Sequence, residues 1–174
     1  MLKSLEVRAR EGAVDAQCRL AERLMGRETP AGYRAALPWL KRAGEKGESW
    51  AQYHLGLVYD DGLGVHPNVR TAVRWYERAA AQGFDSAQLN LGIILANLPG
   101  QRRDLQRAIA LYRKAARQGN RNAAYNLGLY YTEGRGVPRN LSTARRWYRK
   151  AALAGDREAA KELALLSRTT RARH

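Results

Sequence analysis

The chain has 174 residues, with 31 Lys/Arg against 16 Asp/Glu, a net charge of +15, five prolines and one cysteine, Cys18. That length holds a single domain or a short repeat array with a buried core, and the aliphatic content excludes a disordered chain. No run approaches eighteen apolar residues, which excludes a membrane-spanning helix, and one cysteine excludes an internal disulfide framework.

From the N-terminus, Met1 to Arg8 lacks the apolar run and small-residue cleavage site of a signal peptide. With the lone cysteine, this predicts a cytoplasmic location. Leu2 to Glu11 forms a short amphipathic segment ending at Gly12. A block Asp15-Ala16-Gln17-Cys18-Arg19-Leu20-Ala21 follows. It returns as Trp50-Ala51-Gln52-Tyr53-His54-Leu55-Gly56, as Ser86-Ala87-Gln88-Leu89-Asn90-Leu91-Gly92, as Asn122-Ala123-Ala124-Tyr125-Asn126-Leu127-Gly128, and last as Glu158-Ala159-Ala160-Lys161-Glu162-Leu163-Ala164. A second block alternates with it: Ala36-Leu37-Pro38-Trp39-Leu40, then Ala72-Val73-Arg74-Trp75-Tyr76-Glu77-Arg78-Ala79-Ala80, with counterparts starting at Ala108 and Ala144. Gly47, Gly83, Gly119 and Gly155 keep step.

Both blocks carry helical periodicity. Ala51, Leu55 and Tyr59 lie four apart, and Ala72, Trp75, Tyr76, Ala79 and Ala80 follow i, i+3, i+4, i+7, i+8. Asn68, Asp104 and Asn140 stand at the N-cap positions of the second helices, and the stepped glycines stand just past their ends. Gly56, Gly92 and Gly128 sit inside first helices at a cost of ~1 kcal/mol each, which predicts a close helix–helix approach there. Pro38 lies where the second helix of repeat one should be regular, which predicts a late start near Leu37 or a kink. Trp39, Trp75 and Trp147 complete the packing stripe and are expected in the core.

Together these residues resemble the Sel-one-like repeat, a relative of the tetratricopeptide repeat, in the pattern A-x-x-x-L-G-x-x-Y…G-x-G-V…A-x-x-W-Y-x-[RK]-A-A-x-x-G. Repeats two and four match nearly throughout. Repeat three replaces the loop with Leu98-Pro99-Gly100-Gln101 and loses the Trp; repeat one shortens the loop. The resemblance implies an all-α, right-handed α-solenoid of about ten antiparallel helices, four repeats between half-repeat caps, and scaffold or adaptor work. A single solenoid domain over 1–168 and a basic, disordered tail over 169–174 are expected.

No His/Cys/Asp/Glu set has metal-ligand spacing, and no nucleophile motif or phosphate loop occurs. No metal, cofactor or catalytic activity is expected. In tetratricopeptide-like arrays the exposed side of the first helices forms the binding groove. With the packing positions subtracted, the candidates are Arg19, Trp50, Tyr53, His54 and Leu57, then Leu89, Asn90 and Ile93, then Tyr125, Asn126 and Leu129. Arg19, His54, Asn90 and Asn126 share one register and form a polar ladder suited to an extended peptide. A bond to the adjacent helix explains the asparagines equally well, as a lid over an inter-repeat gap explains Trp50.

The charge is uneven. Residues 1–58 carry +3, 59–100 carry −1 and 101–174 carry +13. Arg145, Arg146, Arg149 and Lys150 cover much of the last outer helix and form a basic patch with Arg139, nearby in sequence. Arg145 occupies the place of the apolar Leu37, Val73 and Ile109, so that face is expected to meet water. The patch reads either as a solvated face of no specific role or as a contact for an acidic protein or peptide partner, with nucleic acid as the further alternative.

Overall fold

The computed structural model describes residues 4–97 and 102–171, and these form ten helices and no strands. The first unit spans Met1–Ala87 and the second Gln88–His174. The first holds α1 (Leu5–Arg10), α2 (Val14–Met25), α3 (Pro30–Glu45), α4 (Ser49–Asp60) and α5 (Val69–Ala81), and α6 (Asp85–Asn97) begins in it. The second continues with α7 (Arg102–Arg117), α8 (Arg121–Glu133), α9 (Leu141–Leu153) and α10 (Arg157–Arg171). In each unit the substantial helix contacts join consecutive helices: α1 to α2, α2 to α3, α3 to α4 and α4 to α5; then α7 to α8, α8 to α9 and α9 to α10. That nearest-neighbour pattern defines a repeat array.

The turn after each second-type helix is one device repeated. Gly12, Gly47, Gly83, Gly119 and Gly155 take φ of 87–101°, a conformation open to a residue without Cβ. The residue after each glycine donates its N–H to the carbonyl five residues back, as Glu48 does to Ala43 at 3.1 Å and Asp156 to Ala151 at 3.0 Å. These are Schellman closures, which satisfy the orphan carbonyls of the helix end.

Within a pair, the interior glycine meets a tyrosine ring. A Cβ on Gly56, Gly92 or Gly128 would lie 2.3, 2.6 or 2.4 Å from a ring carbon of Tyr76, Tyr112 or Tyr148. These three tyrosines are among the largest fully buried side chains. The tryptophans one residue earlier are only half-buried. Trp39 and Trp75 pack at the edge of the first unit's core, with Arg42 and Arg78 over their rings at 5.1 and 4.7 Å. The stripe is therefore correct in register but deepest at tyrosine, because the Trp indole stands one position round the helix, toward the rim.

Repeat one solves the same packing with other residues: Ala21 takes the place of Gly56 and Leu40 that of Tyr76, and both are fully buried. One added methyl on α2 is matched by a smaller side chain on α3.

Two capping expectations need correction. α3 starts neither late nor near Leu37. Thr29 caps it by accepting from Gly32 N–H at 3.1 Å, Pro30 occupies its first turn, and the helix continues through Pro38. Pro38 is exposed, so the Arg34 carbonyl it leaves unbonded can turn to water. Asn68 and Asn140 do cap α5 and α9 through Thr71 and Thr143 N–H. Asp104 does not cap α7, which begins two residues earlier at Arg102; its carboxylate lies 3.7 Å from Arg107. Thus α3 and α7 have 16 residues while α5 and α9 have 13: where the glycine loop is lost, the helix gains a turn. The replaced loop, Leu98 to Gln101, lies outside the described residues, as do residues 172–174 and the side chains of Arg168 and Arg171. α10 itself runs to Arg171, past the expected domain end at 168.

A buried glutamine adds a polar clasp between repeats. Gln17 and Gln52 are 2% and 4% exposed and donate to the Ala9 and Gly44 carbonyls at 3.1 and 2.9 Å. Gln82 then donates to Gln52 Oε1 at 2.8 Å, and Gln118 to Gln88 Oε1 at 3.0 Å. The fourth repeat has Ala124 and Ala154 in the two places, so both partners are lost together.

Candidate partner-binding face

The first-type helix α4 carries the richest set of candidate side chains. Its buried stripe, Ala51, Leu55 and Val58, leaves Trp50, Tyr53, His54 and Leu57 half-buried on the other side. Trp50 and His54 lie with ring centroids 4.2 Å apart, and Tyr53 meets the His54 ring edge-on at 5.2 Å. Tyr53 stacks on Phe84 at 4.9 Å, nearly parallel at 28°. Burial drops His54 to a pKa of about 4, so it is neutral at pH 7. Burial also pushes the Tyr53 hydroxyl up, with Asp85 and Asp61 adding to the effect.

Trp50, His54 and Leu57 line one wall of a cleft of about 270 Å³. The opposite wall comes from α2 and the shortened loop of repeat one, with Glu22, Met25 and Glu28, and Tyr33 enters from the start of α3. Glu28 holds a left-handed φ of 50°. Arg19, on α2, is exposed and is not part of this lining. The residues missed from sequence are Glu22, Glu28, Tyr33 and Phe84. Phe84 carried a signal, since its counterparts Glu48, Asn120 and Asp156 are polar.

In the second unit the candidates divide. Leu89 is 8% exposed, hence core rather than surface, while Ile93 is 40% exposed. Asn90, Tyr125, Asn126 and Leu129 are half-buried. Asn126 hydrogen-bonds the Tyr112 hydroxyl, whose pKa burial drives up, and Asn90 is also engaged within the protein. The Asn126 bond fits the structural explanation of that asparagine. The Tyr125 ring lies 5.8 Å from Tyr148.

The basic patch also divides. Arg146 and Arg149 are exposed, and Lys150 is half-buried. Arg139, though exposed, donates Nε to the Thr132 carbonyl at 3.0 Å. Arg145 does not face water as expected: α10 covers it, and its guanidinium donates to the Leu166 carbonyl at 3.0 Å. The charge there replaces an apolar contact with a hydrogen bond to a backbone carbonyl of the neighbouring helix.

Four consecutive matches to the Sel1 repeat model cover residues 14–48, 51–84, 85–120 and 121–156. The chain belongs to the Sel1 repeat family. Sel1-repeat proteins generally act as protein-interaction scaffolds, and the all-helical architecture matches solved α-solenoids of this kind. One is c5321, a protective antigen of uropathogenic Escherichia coli strains with an SLR fold. It is 34% identical over 93% of this chain and 35% of that one, with a TM-score of 0.85. A Sel1 repeat protein from Oxalobacter formigenes is 29% identical over 87% of this chain and 62% of that one, with a TM-score of 0.78. Helicobacter pylori cysteine rich protein B shares the fold at 23% identity, over 75% of this chain and 93% of that one, with a TM-score of 0.58. The chain spans about a third of the length of the E. coli antigen and about three-fifths of the Oxalobacter protein. None of the curated proteins matches. Among the described residues no His/Cys/Asp/Glu group could hold a metal ion, and no helix is long and apolar enough to cross a membrane.

Proposed function

We propose that this Sel1-repeat chain is a scaffold that holds a peptide or protein partner against the exposed side of its first-type helices. The observation that carries this reading is the cleft on α4: Trp50, His54 and Leu57 line it instead of being used up in the core. Aromatic side chains in a concave, partly desolvated setting are the usual anchors of a protein interface. On α9, in the second unit, Arg146 and Arg149 are exposed and suit carboxylates of an acidic protein partner, and their charge steers association more than it holds a complex. Among the described residues, only these two of the five patch residues are both exposed and without a bond to backbone, a thin basis for tracking a phosphate backbone.

The test compares immobilised wild type with Trp50→Ala/Leu57→Ser and with Arg146→Gln/Arg149→Gln, each verified by circular dichroism. Partner capture should survive nuclease, disappear with the α4 variant and slow with the α9 variant. Capture that vanishes with nuclease, or that the α4 variant keeps in full, refutes the scaffold reading.

A further inference from the structure

The charges around the cleft run against those of the protein as a whole. The chain carries +15, yet the first unit holds thirteen Lys/Arg against eleven Asp/Glu, and the second eighteen against five. The charged residues that line the cleft are carboxylates, Glu22 and Glu28; no Lys or Arg does so. Both glutamates are exposed, and among the described residues neither is ion-paired or hydrogen-bonded through its side chain. Other nearby acids are committed: Asp15 pairs with Arg8 at 2.6 Å and Glu6 with Arg23 at 2.8 Å. On the same face the Cys18 thiolate is disfavoured by burial first and then by Glu48, Asp15 and Glu22. The walls between the glutamates are aromatic, from Trp50, Tyr33 and His54.

We infer that this cleft receives an arginine side chain of an extended peptide segment on the partner, the guanidinium lying on the Trp50 and Tyr33 rings and pairing with Glu22 and Glu28. The chemistry selects that group on three counts. A planar guanidinium stacks on aromatic faces and pairs bidentately with carboxylates, which an ammonium does only as a point charge. Two unpaired carboxylates beside an apolar floor penalise an acidic side chain and are left uncompensated by a neutral amide. The volume, about 270 Å³, lies just below the range of drug-sized pockets, suited to one long side chain and not to a packed helix. The unit builds comparable contacts internally, since Arg42 and Arg78 lie over Trp39 and Trp75. The inference rests on the scaffold reading and specifies the partner's chemistry at one point of that face.

The experiment is a fluorescence-anisotropy titration of the full chain with labelled seven-residue peptides of sequence Ala-Gly-Leu-X-Leu-Gly-Ala, where X is Arg, Lys, Gln or Glu. Arg should bind at least about tenfold tighter than Gln, with Lys between them and Glu not detected. Glu22→Gln/Glu28→Gln, whose fold is checked by circular dichroism, should erase the Arg-over-Gln preference, and Trp50→Phe should retain more of it than Trp50→Ala. An Arg peptide within twofold of the Gln peptide overturns the inference, as does a preference that survives loss of both glutamates. Sedimentation without peptide covers the other occupant: self-association abolished by the glutamate variant would assign the cleft to an arginine of a second copy. If the glutamate variant still captures the scaffold's partner while Trp50→Ala/Leu57→Ser does not, the face stands and the arginine pocket alone falls.

Discussion

Gly56→Ala should destabilise the first unit, although the same change on an open helix surface would stabilise it. The added Cβ would lie 2.3 and 2.4 Å from Tyr76 Cε1 and Cδ1, roughly 1 Å or more inside normal carbon–carbon contact, and 2.9 Å from Cγ. The ring is fully buried and cannot swing into solvent. Overpacking of this kind costs about 1–3 kcal/mol, and the conformational gain of alanine in a helix, up to about 1 kcal/mol, offsets part of it; a net loss of about 1–2 kcal/mol is expected. Tyr76→Leu alone leaves a void and frees the contact to Asp60, for a loss of about 2–4 kcal/mol. The double variant reproduces the Ala21–Leu40 pair of repeat one and should be more stable than the two losses summed, by about 1–3 kcal/mol. Urea denaturation followed by circular dichroism, on all four corners of the cycle, reads this coupling. Additivity within about 0.5 kcal/mol would refute the idea that the glycine exists to seat the ring.

Three further outcomes follow from other contacts. His54 is held near a pKa of 4 against 6.5 when exposed, so between those values the unfolded chain binds a proton that the folded chain does not. Stability should therefore fall as pH drops from 6.5 toward 4, by about 2 kcal/mol in total after discounting for partial exposure, and His54→Asn, the residue of later repeats, should flatten that slope in denaturation at stepped pH. Gln52→Ala removes a buried donor to the Gly44 carbonyl, which keeps its bond from Gly47 N–H at 3.1 Å, and should cost about 1–2 kcal/mol, while Gln82→Ala, at an exposed position, should cost less than about 1 kcal/mol; equal effects in thermal melts would deny the clasp its direction. Arg145→Gln should lower the melting point through the lost bond to Leu166, about 1–2 kcal/mol, whereas Arg146→Gln and Arg149→Gln should stay within about 0.5 kcal/mol of wild type.

Helices, capping glycines and the close approach at Gly56 were legible because each is a local rule written several times over. What the glycine approaches was not. Trp75 and Tyr76 both satisfy the helical stripe, and one position of rotation decides which goes to the bottom. Reading columns jointly could have gone further: Ala21 with Leu40, or Ala124 with Ala154, change in pairs because the side chains touch. Pro38 misled as to where α3 begins, because a proline on the water side of a helix removes a hydrogen bond without removing the packing that holds the helix. Arg145 misled because an apolar position turned charged reads as exposure, and here the charge serves a backbone carbonyl. The cleft needs residues from α2, α3, α4 and a shortened loop, a convergence that no single repeat spells out.

The trade between loop and helix has a consequence for how such a chain can change. Repeats two and four spend their residues on a glycine loop and a 13-residue second helix; repeats one and three spend them on one more helical turn. The spacing from one capping glycine to the next nevertheless stays at 35 or 36 residues. Remodelling at that edge therefore leaves every downstream repeat in phase. A family built this way can vary one rim of the array from unit to unit, as a keyboard varies its keys, while the frame beneath keeps a constant pitch.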